Sequence, residues 1–226
     1  NAMGVGLVGS EMCIRDSGPA ASGKGSLAIS IANQFSLKLL DSGSLYRLFA
    51  FFERNTDYSE IVEIIKNRVE FKLTNESQNI ILDKNVDITH ELKSEEVAKS
   101  ASKLSSQKEV RNLLLQLQRD FYQGSGLVAD GRDMGTVVFN DAKLKIFLTA
   151  SPEVRAKRRY IELQNRKQEV NMPALIDDIK QRDLSDSTRD ISPLLPADDA
   201  HIIDSSDMSL EEVFSYAENL IRKEFI

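Results

Sequence analysis

Short apolar runs and helical repeats alternate along this chain. Residues 12–16 form a short strand candidate carrying Arg15 and Asp16, and Gly18 to Gly25 is a glycine-rich turn. Leu27, Ile31 and Phe35 recur at helical spacing, which predicts a helix over 24–35. Lys38-Leu39-Leu40 reads as a second strand ending at Asp41, followed by helical patterns over 43–54 and 58–67. The texture then changes: 70–73, 79–82 and 85–88 read as short strands, with turns at 75–77 and 83–84. Helices are predicted over 93–104 and 107–122, and a buried strand over 126–130 that closes on Asp130. Residues 144–148 form another apolar strand, 152–168 a basic helix, 172–185 a polar helix and 201–204 a last strand. Ser209-x-x-Glu212 is a capping box that opens the final helix.

Apolar strands alternating with helices argue for a parallel sheet covered on both faces. The patch at 70–88 breaks that alternation and reads as an inserted antiparallel subdomain. The fold class is therefore α/β, and 226 residues suit one domain with room for an insertion.

Composition narrows the function classes. A formal net charge of −6 disfavours a nucleic-acid coat or a binder of anionic membranes, so an anionic ligand requires a local cluster of arginines. No run of 18 apolar residues predicts a membrane span, and no convincing signal peptide is present, so a cytoplasmic protein is expected. The single cysteine, Cys13, excludes an intrachain disulfide, fits a reducing compartment and reads as a small packing residue. His90 and His201 have no metal-ligand spacing. A monomer is the default expectation.

Asn1-Ala2-Met3 has the form of a tag remnant ahead of an initiator methionine, and 1–11 is read as tag remnant and disordered tail. Gly4 to Gly9 matches G-x-G-x-x-G, but nothing precedes it as a strand, so a dinucleotide site is not expected there.

Gly18-Pro19-Ala20-Ala21-Ser22-Gly23-Lys24 fits G-x-x-x-x-G-K, followed by Gly25 and Ser26. Glycines let backbone N–H groups converge on an anion, and the following helix adds its positive dipole end. Lys24 can reach the β- and γ-phosphates of a nucleoside triphosphate, and the Ser26 hydroxyl can ligate Mg²⁺. A polyphosphate meeting a second nucleotide concentrates negative charge, which calls for further arginines. Arg47, Arg111, Arg132, Arg155, Arg158, Arg159, Arg182 and Arg189 are available. Asp130-Gly131-Arg132-Asp133-Met134-Gly135 follows a buried strand, where open α/β sheets place their ligand crevice. Asp130 can hold Mg²⁺ through water. Arg132 and Asp133 offer adjacent handles for a phosphate and for a base amine.

These residues resemble the bacterial cytidylate kinases. The segments that carry the resemblance are GPAASGKGS (18–26), LLDSGSLYR (39–47), EVAKSASKLS (96–105), ADGRDMGTVVF (129–139), KIFLTAS (145–151) and DISPLLPADDAHIIDSS (190–206). The resemblance implies a three-layer P-loop kinase fold with a five-stranded parallel sheet, an inserted nucleotide-binding domain and a short helical lid. It assigns 12–66, 123–151 and 199–226 to the core, 67–122 to the insertion and 152–198 to the lid region. It implies ATP with Mg²⁺ as donor and CMP and dCMP as acceptors. Gly18 to Ser26 with Arg155, Arg158 and Arg159 would hold ATP. Ser42, Tyr46 and Arg47 would line the acceptor site. Ser102, Arg111 and Asp133 would read the cytosine edge, and Arg182 and Asp186 would meet the ribose. Lys24, Asp130, Arg132 and Arg189 would carry the transfer, with Arg132 and Arg189 gripping phosphates.

Residues 4–16 do not follow the family's pattern, which begins with a near-continuous apolar strand. Arg15 suits a buried central strand only at its end, and the segment reads as a foreign extension or a cloning or gene-model error. Two alternatives stay open: another P-loop small-molecule kinase, or a nucleotide-binding module inactivated by its first strand.

Overall fold

Strand β1 (Cys13–Ser17) opens the described part of the chain and is buried along its length from Ile14 to Ser17. The structure is a computed structural model describing residues 13–53, 56–74, 78–124, 126–165 and 167–226. The tail at 1–11, its Gly4–Gly9 match, the turn at 75–77 and the side chain of Cys13 lie outside the described residues. Elements follow in the order α1 (Lys24–Gln34), β2 (Lys38–Asp41), α2 (Ser42–Phe52) and α3 (Tyr58–Arg68). Next come β3 (Val69–Leu73), β4 (Asn79–Asp83), β5 (Val86–Asp87), α4 (Thr89–Leu92), α5 (Glu95–Leu104) and α6 (Lys108–Asp120). The chain ends with β6 (Leu127–Gly131), a π-helical turn (Met134–Val138), β7 (Leu144–Thr149), α7 (Pro152–Asn165), α8 (Met172–Thr188), β8 (His201–Asp204) and α9 (Leu210–Phe225).

Five strands form a parallel sheet in the order β2-β6-β1-β7-β8, and β3-β4-β5 form a separate antiparallel sheet. This is the α/β class with an inserted antiparallel patch that the alternation predicts. By contacts the chain divides into two compact units, Ala28–Asp130 and Ile14–Leu27 with Gly131–Ile226.

In the first unit, β2 and β6 run parallel with Asp41 in register with Asp130. Leu40, Leu127, Val128 and Ala129 are fully buried, as a strand covered on both faces requires. Helix α2 packs on α5, and α3 on α6. Asp41 is the N-cap of α2, its carboxylate accepting from the Ser44 backbone N–H at 3.0 Å.

In the second unit, β7 is flanked by β1 and β8, with Ile14 opposite Leu144 and Leu148 opposite Ile203. Helix α9 packs on β7 through its buried stripe Val213, Ala217 and Ile221. The predicted capping box is present: Ser209 Oγ accepts from the Glu212 N–H at 3.2 Å, and Glu212 Oε2 accepts from the Ser209 N–H at 2.8 Å. Arg15 lies in the middle of β1, not at its end as the burial argument required, and it is 0% exposed. Its cost is reduced locally: Nη1 donates to the Ile14 carbonyl at 3.0 Å and the guanidinium covers the Phe139 ring. Among the described residues no helix is long and apolar enough to cross a membrane.

Candidate active site

The glycine-rich turn leaves the end of β1 and runs into α1. A Cβ built on Gly18 would stand 2.1 Å from the Leu148 carbonyl oxygen, so only glycine fits against β7 here. Gly23, with φ +98°, and Ala21, with φ +59°, complete the tight curl that ends on the first turn of α1. Lys24 folds back across it, Nζ donating to the Pro19 carbonyl at 3.2 Å, and is 9% exposed. The Ser22 hydroxyl is 1% exposed and has no hydrogen-bond partner among the described residues. A buried orphan hydroxyl inside a loop of this shape fits a ligand rich in oxygen acceptors.

Two arginines of α7 grip this loop. Arg155 Nη1 donates to the Ala20 carbonyl at 3.2 Å, while its Nε holds the Ala150 carbonyl at 2.8 Å. The same guanidinium makes a two-pronged ion pair with Asp183 of α8. Arg158 Nη1 donates to the Ser22 carbonyl at 2.9 Å and to Ser205 Oγ at 3.0 Å, and Nη2 to the Ser205 carbonyl at 2.6 Å. Arg159 pairs with Glu162 on the same helix at 2.8 Å.

Four more predicted residues of this unit meet around one carboxylate. Arg132 Nε stands 2.5 Å from Asp186 Oδ2 and Arg189 Nη1 3.7 Å from Oδ1, while the Arg182 charge also acts on Asp186. Burial pushes the Asp186 carboxyl up, yet the three guanidiniums outweigh it and hold the group below the ordinary aspartate range. Three guanidiniums acting on one carboxylate gather positive charge at one place in a net acidic chain, which suits a phosphate. Asp133, 4% exposed, stands before the π-helical turn, and its carbonyl accepts from Val137 N at 2.9 Å.

The other unit holds the remaining predicted residues. Ser42 opens α2, where Gln118 of α6 donates to its hydroxyl at 2.7 Å. Arg111 lies 5.9 Å from the Tyr46 ring centroid and donates to the Ser105 carbonyl at 2.9 Å. Arg47 donates to the Leu92 carbonyl at 2.8 Å, and Ser102 lies half-buried on α5. Asp130, 9% exposed, closes the central stretch of β6 beside Asp41. Ser26, exposed on the first turn of α1, belongs to the unit that holds the phosphate loop, and its hydroxyl is an oxygen donor of the type a hard divalent cation takes. Among the described residues no group of three His, Cys, Asp or Glu side chains could hold a metal ion.

Several residues of these networks carry no signal in the sequence reading. Gln118, Asp183 and Ser205 act across long separations, and no spacing rule links them to their partners. Asp41 was legible: an acid just before an apolar helical repeat is a helix-start signal.

The sequence profile of the family described as cytidylate kinase matches residues 14–223. Cytidylate kinase 1 of Haemophilus influenzae is 42% identical over 212 residues, covering 91% of each chain. A cytidylate kinase of Pseudomonas aeruginosa strain LESB58 is 44% identical over 213 residues, again 91% of each. One from Pseudomonas savastanoi pv. phaseolicola is 46% identical over 204 residues, 87% of this chain and 89% of that one.

Proposed function

This chain belongs to the cytidylate kinase family, and on that premise we propose that it transfers the γ-phosphoryl group of ATP to CMP and dCMP. The observation that carries the reading is the pairing, in one unit, of a glycine-bounded phosphate loop with the Arg132–Arg182–Arg189 cluster around Asp186. One binds a polyphosphate through amides and a lysine; the other supplies guanidiniums for the charge that develops on transfer.

Residues 18–26 cradle the ATP phosphates, with Lys24 neutralising charge on the transferred group. Arg132 and Arg189 hold phosphate oxygens during transfer, and Arg155, Arg158 and Arg159 belong to the ATP half. Ser42, Tyr46 and Arg47 line the acceptor site, Arg47 holding its phosphate, and Arg182 and Asp186 meet its ribose. Ser102, Arg111 and Asp133 read the base. A carboxylate at Asp133 accepts from the exocyclic amine of cytosine, whereas uracil offers an acceptor there and is penalised. Mg²⁺, held by Ser26 and through water by Asp130, would supply charge neutralisation between the phosphates. The working division is a core of 12–66, 123–151 and 199–226, an acceptor-binding insertion at 67–122 and a lid region at 152–198.

A coupled ADP-release assay over CMP, dCMP, UMP, AMP, GMP, dTMP and shikimate tests this. CMP and dCMP are expected to turn over fastest. Faster turnover of dTMP or shikimate, or no acceptor-dependent ADP release at all, would overturn it.

A further inference from the structure

The α7 arginines meet the phosphate loop on its carbonyls. In a trans-planar peptide the C=O of one residue and the N–H of the next point to opposite sides. The described chain contains no cis peptide bond. Fixing a carbonyl on one side of the loop therefore aims the following amide at the other side. Arg155 holds the Ala20 carbonyl and so orients the Ala21 N–H; Arg158 holds the Ser22 carbonyl and so orients the Gly23 N–H. Lys24, on Pro19, does the same for Ala20.

Each arginine is itself locked from behind. Arg155 is 3% exposed and forked onto Asp183. Arg158 is held by both the hydroxyl and the carbonyl of Ser205, a residue 1% exposed at the end of β8. Ser205 is fixed in turn: its N–H donates to the Thr149 carbonyl at 2.8 Å, and its hydroxyl lies 2.9 Å from the same oxygen and 3.3 Å from the Ser22 carbonyl of the loop. The hydroxyl thus donates toward these carbonyls and accepts from Arg158, using both of its roles.

Resting on the ATP-binding reading above, we propose that Arg155 and Arg158 are positioning residues that act on ATP through the loop backbone, and that Ser205 and Asp183 set them. Two guanidinium forks turn a flexible glycine-rich segment into a preformed row of amides, which lowers the ordering cost of binding a polyphosphate. Ser205 acts here although its hydroxyl is enclosed by protein groups.

The test uses full-length protein and measures Mg·ATP affinity by calorimetry, KM for ATP and for CMP, and Tm. Ser205→Ala is expected to weaken ATP binding about ten-fold, the scale of one hydrogen bond lost from a charged group. KM for CMP should stay within about two-fold. Arg158→Lys keeps the charge and loses the fork; Arg158→Gln loses the charge and keeps one planar N–H donor group. A backbone-positioning role predicts that Lys binds ATP no better than Gln. Near-normal ATP affinity in Lys with a loss of roughly ten-fold or more in Gln would overturn the proposal. So would an unchanged ATP affinity in Ser205→Ala, which decides the matter alone if the Arg158 variants do not fold. ATP binding without CMP phosphorylation in the unaltered protein would sink the functional reading and still leave these affinities to decide this one.

Discussion

Arg15 lays its guanidinium 3.7 Å from the centre of the Phe139 ring, in a strand fully buried at that point. Its register partner on β7 is Lys145, also buried, whose Nζ is held by Asp199 at 2.8 Å and by the Asn140 carbonyl at 2.7 Å. Neighbouring parallel strands thus carry two cations at one level of the sheet, one of them over an aromatic face and the other on a carboxylate. Asp16, the next residue of β1, is also 0% exposed, and taking one member out of a buried charged group commonly costs about 3–5 kcal/mol because its neighbours are left uncompensated. Arg15→Met keeps the length and the contact with Phe139 and removes the ion. The expected result is a Tm drop of several degrees with unchanged cooperativity; an unchanged or higher Tm refutes it.

How much of this was visible in the sequence depended on how local the cause was. The alternation of β2, β6, β7 and β8 with helices was legible because period and punctuation are set by neighbouring residues. The four-residue α4 was not resolved, being too short for a period to show, whereas the two-residue β5 falls inside the strand expected at 85–88. The π-helical turn at Met134–Val138 hid behind an apolar stretch next to a recognised loop. Strand β1 reads poorly because of Arg15 and Asp16, yet pairs in register with the distant β7, Ile14 opposite Leu144, which no local pattern states. In the site, the phosphate loop was readable from two glycines and a lysine at fixed offsets. The reach of Arg158 to Ser205 spans 47 residues and depends on where β8 ends, which no local pattern states.

Gly18→Ala tests the loop's seat on β7. The new Cβ would meet a backbone oxygen, which cannot rotate aside like a side chain, so the loop or β7 must shift. ATP affinity is expected to fall by roughly ten-fold or more with a lower Tm, since backbone strain of this kind costs about 1–3 kcal/mol. Binding and Tm equal to the unaltered protein would show that the loop stands farther from Leu148.

Lys24→Ala removes the cation that lies against the loop. Charge contacts realised in a transition state are worth about 10²–10³ in rate, so kcat should drop by that factor or more while Tm changes little. A variant turning over CMP at near-normal rate takes Lys24 out of the chemistry.

Asp133→Ala should separate base reading from phosphate binding. Loss of an acceptor for the cytosine amine is expected to lower kcat/KM for CMP by roughly ten- to a hundred-fold, with KM for ATP within about two-fold. The CMP preference over UMP should shrink, because the penalty on uracil disappears with the carboxylate. Equal losses toward CMP and ATP would instead mark Asp133 as a support for the loop.

Asp186 makes the stability of this unit depend on pH in a predictable direction. Its folded-state ionisation is held below that of an unfolded aspartate by Arg132, Arg182 and Arg189, against the opposing effect of burial. The contribution is therefore complete above the ordinary aspartate value of about 3.9 and fades as pH falls through the lower folded-state value. Once the carboxyl is protonated, its attraction to Arg132, Arg182 and Arg189 is lost. Asp186→Asn imposes that state at every pH. At pH 7 it should cost about 3 kcal/mol, or roughly 6–12 °C in Tm. The Tm difference between the two proteins should hold from neutrality down to the aspartate range and then close as pH falls further, because the unaltered protein loses what the variant already lacks. Added phosphate or CMP should narrow the gap at pH 7 by supplying the missing negative charge. A gap that persists undiminished to the lowest pH at which both remain folded would show that the carboxylate charge is not what holds these arginines together.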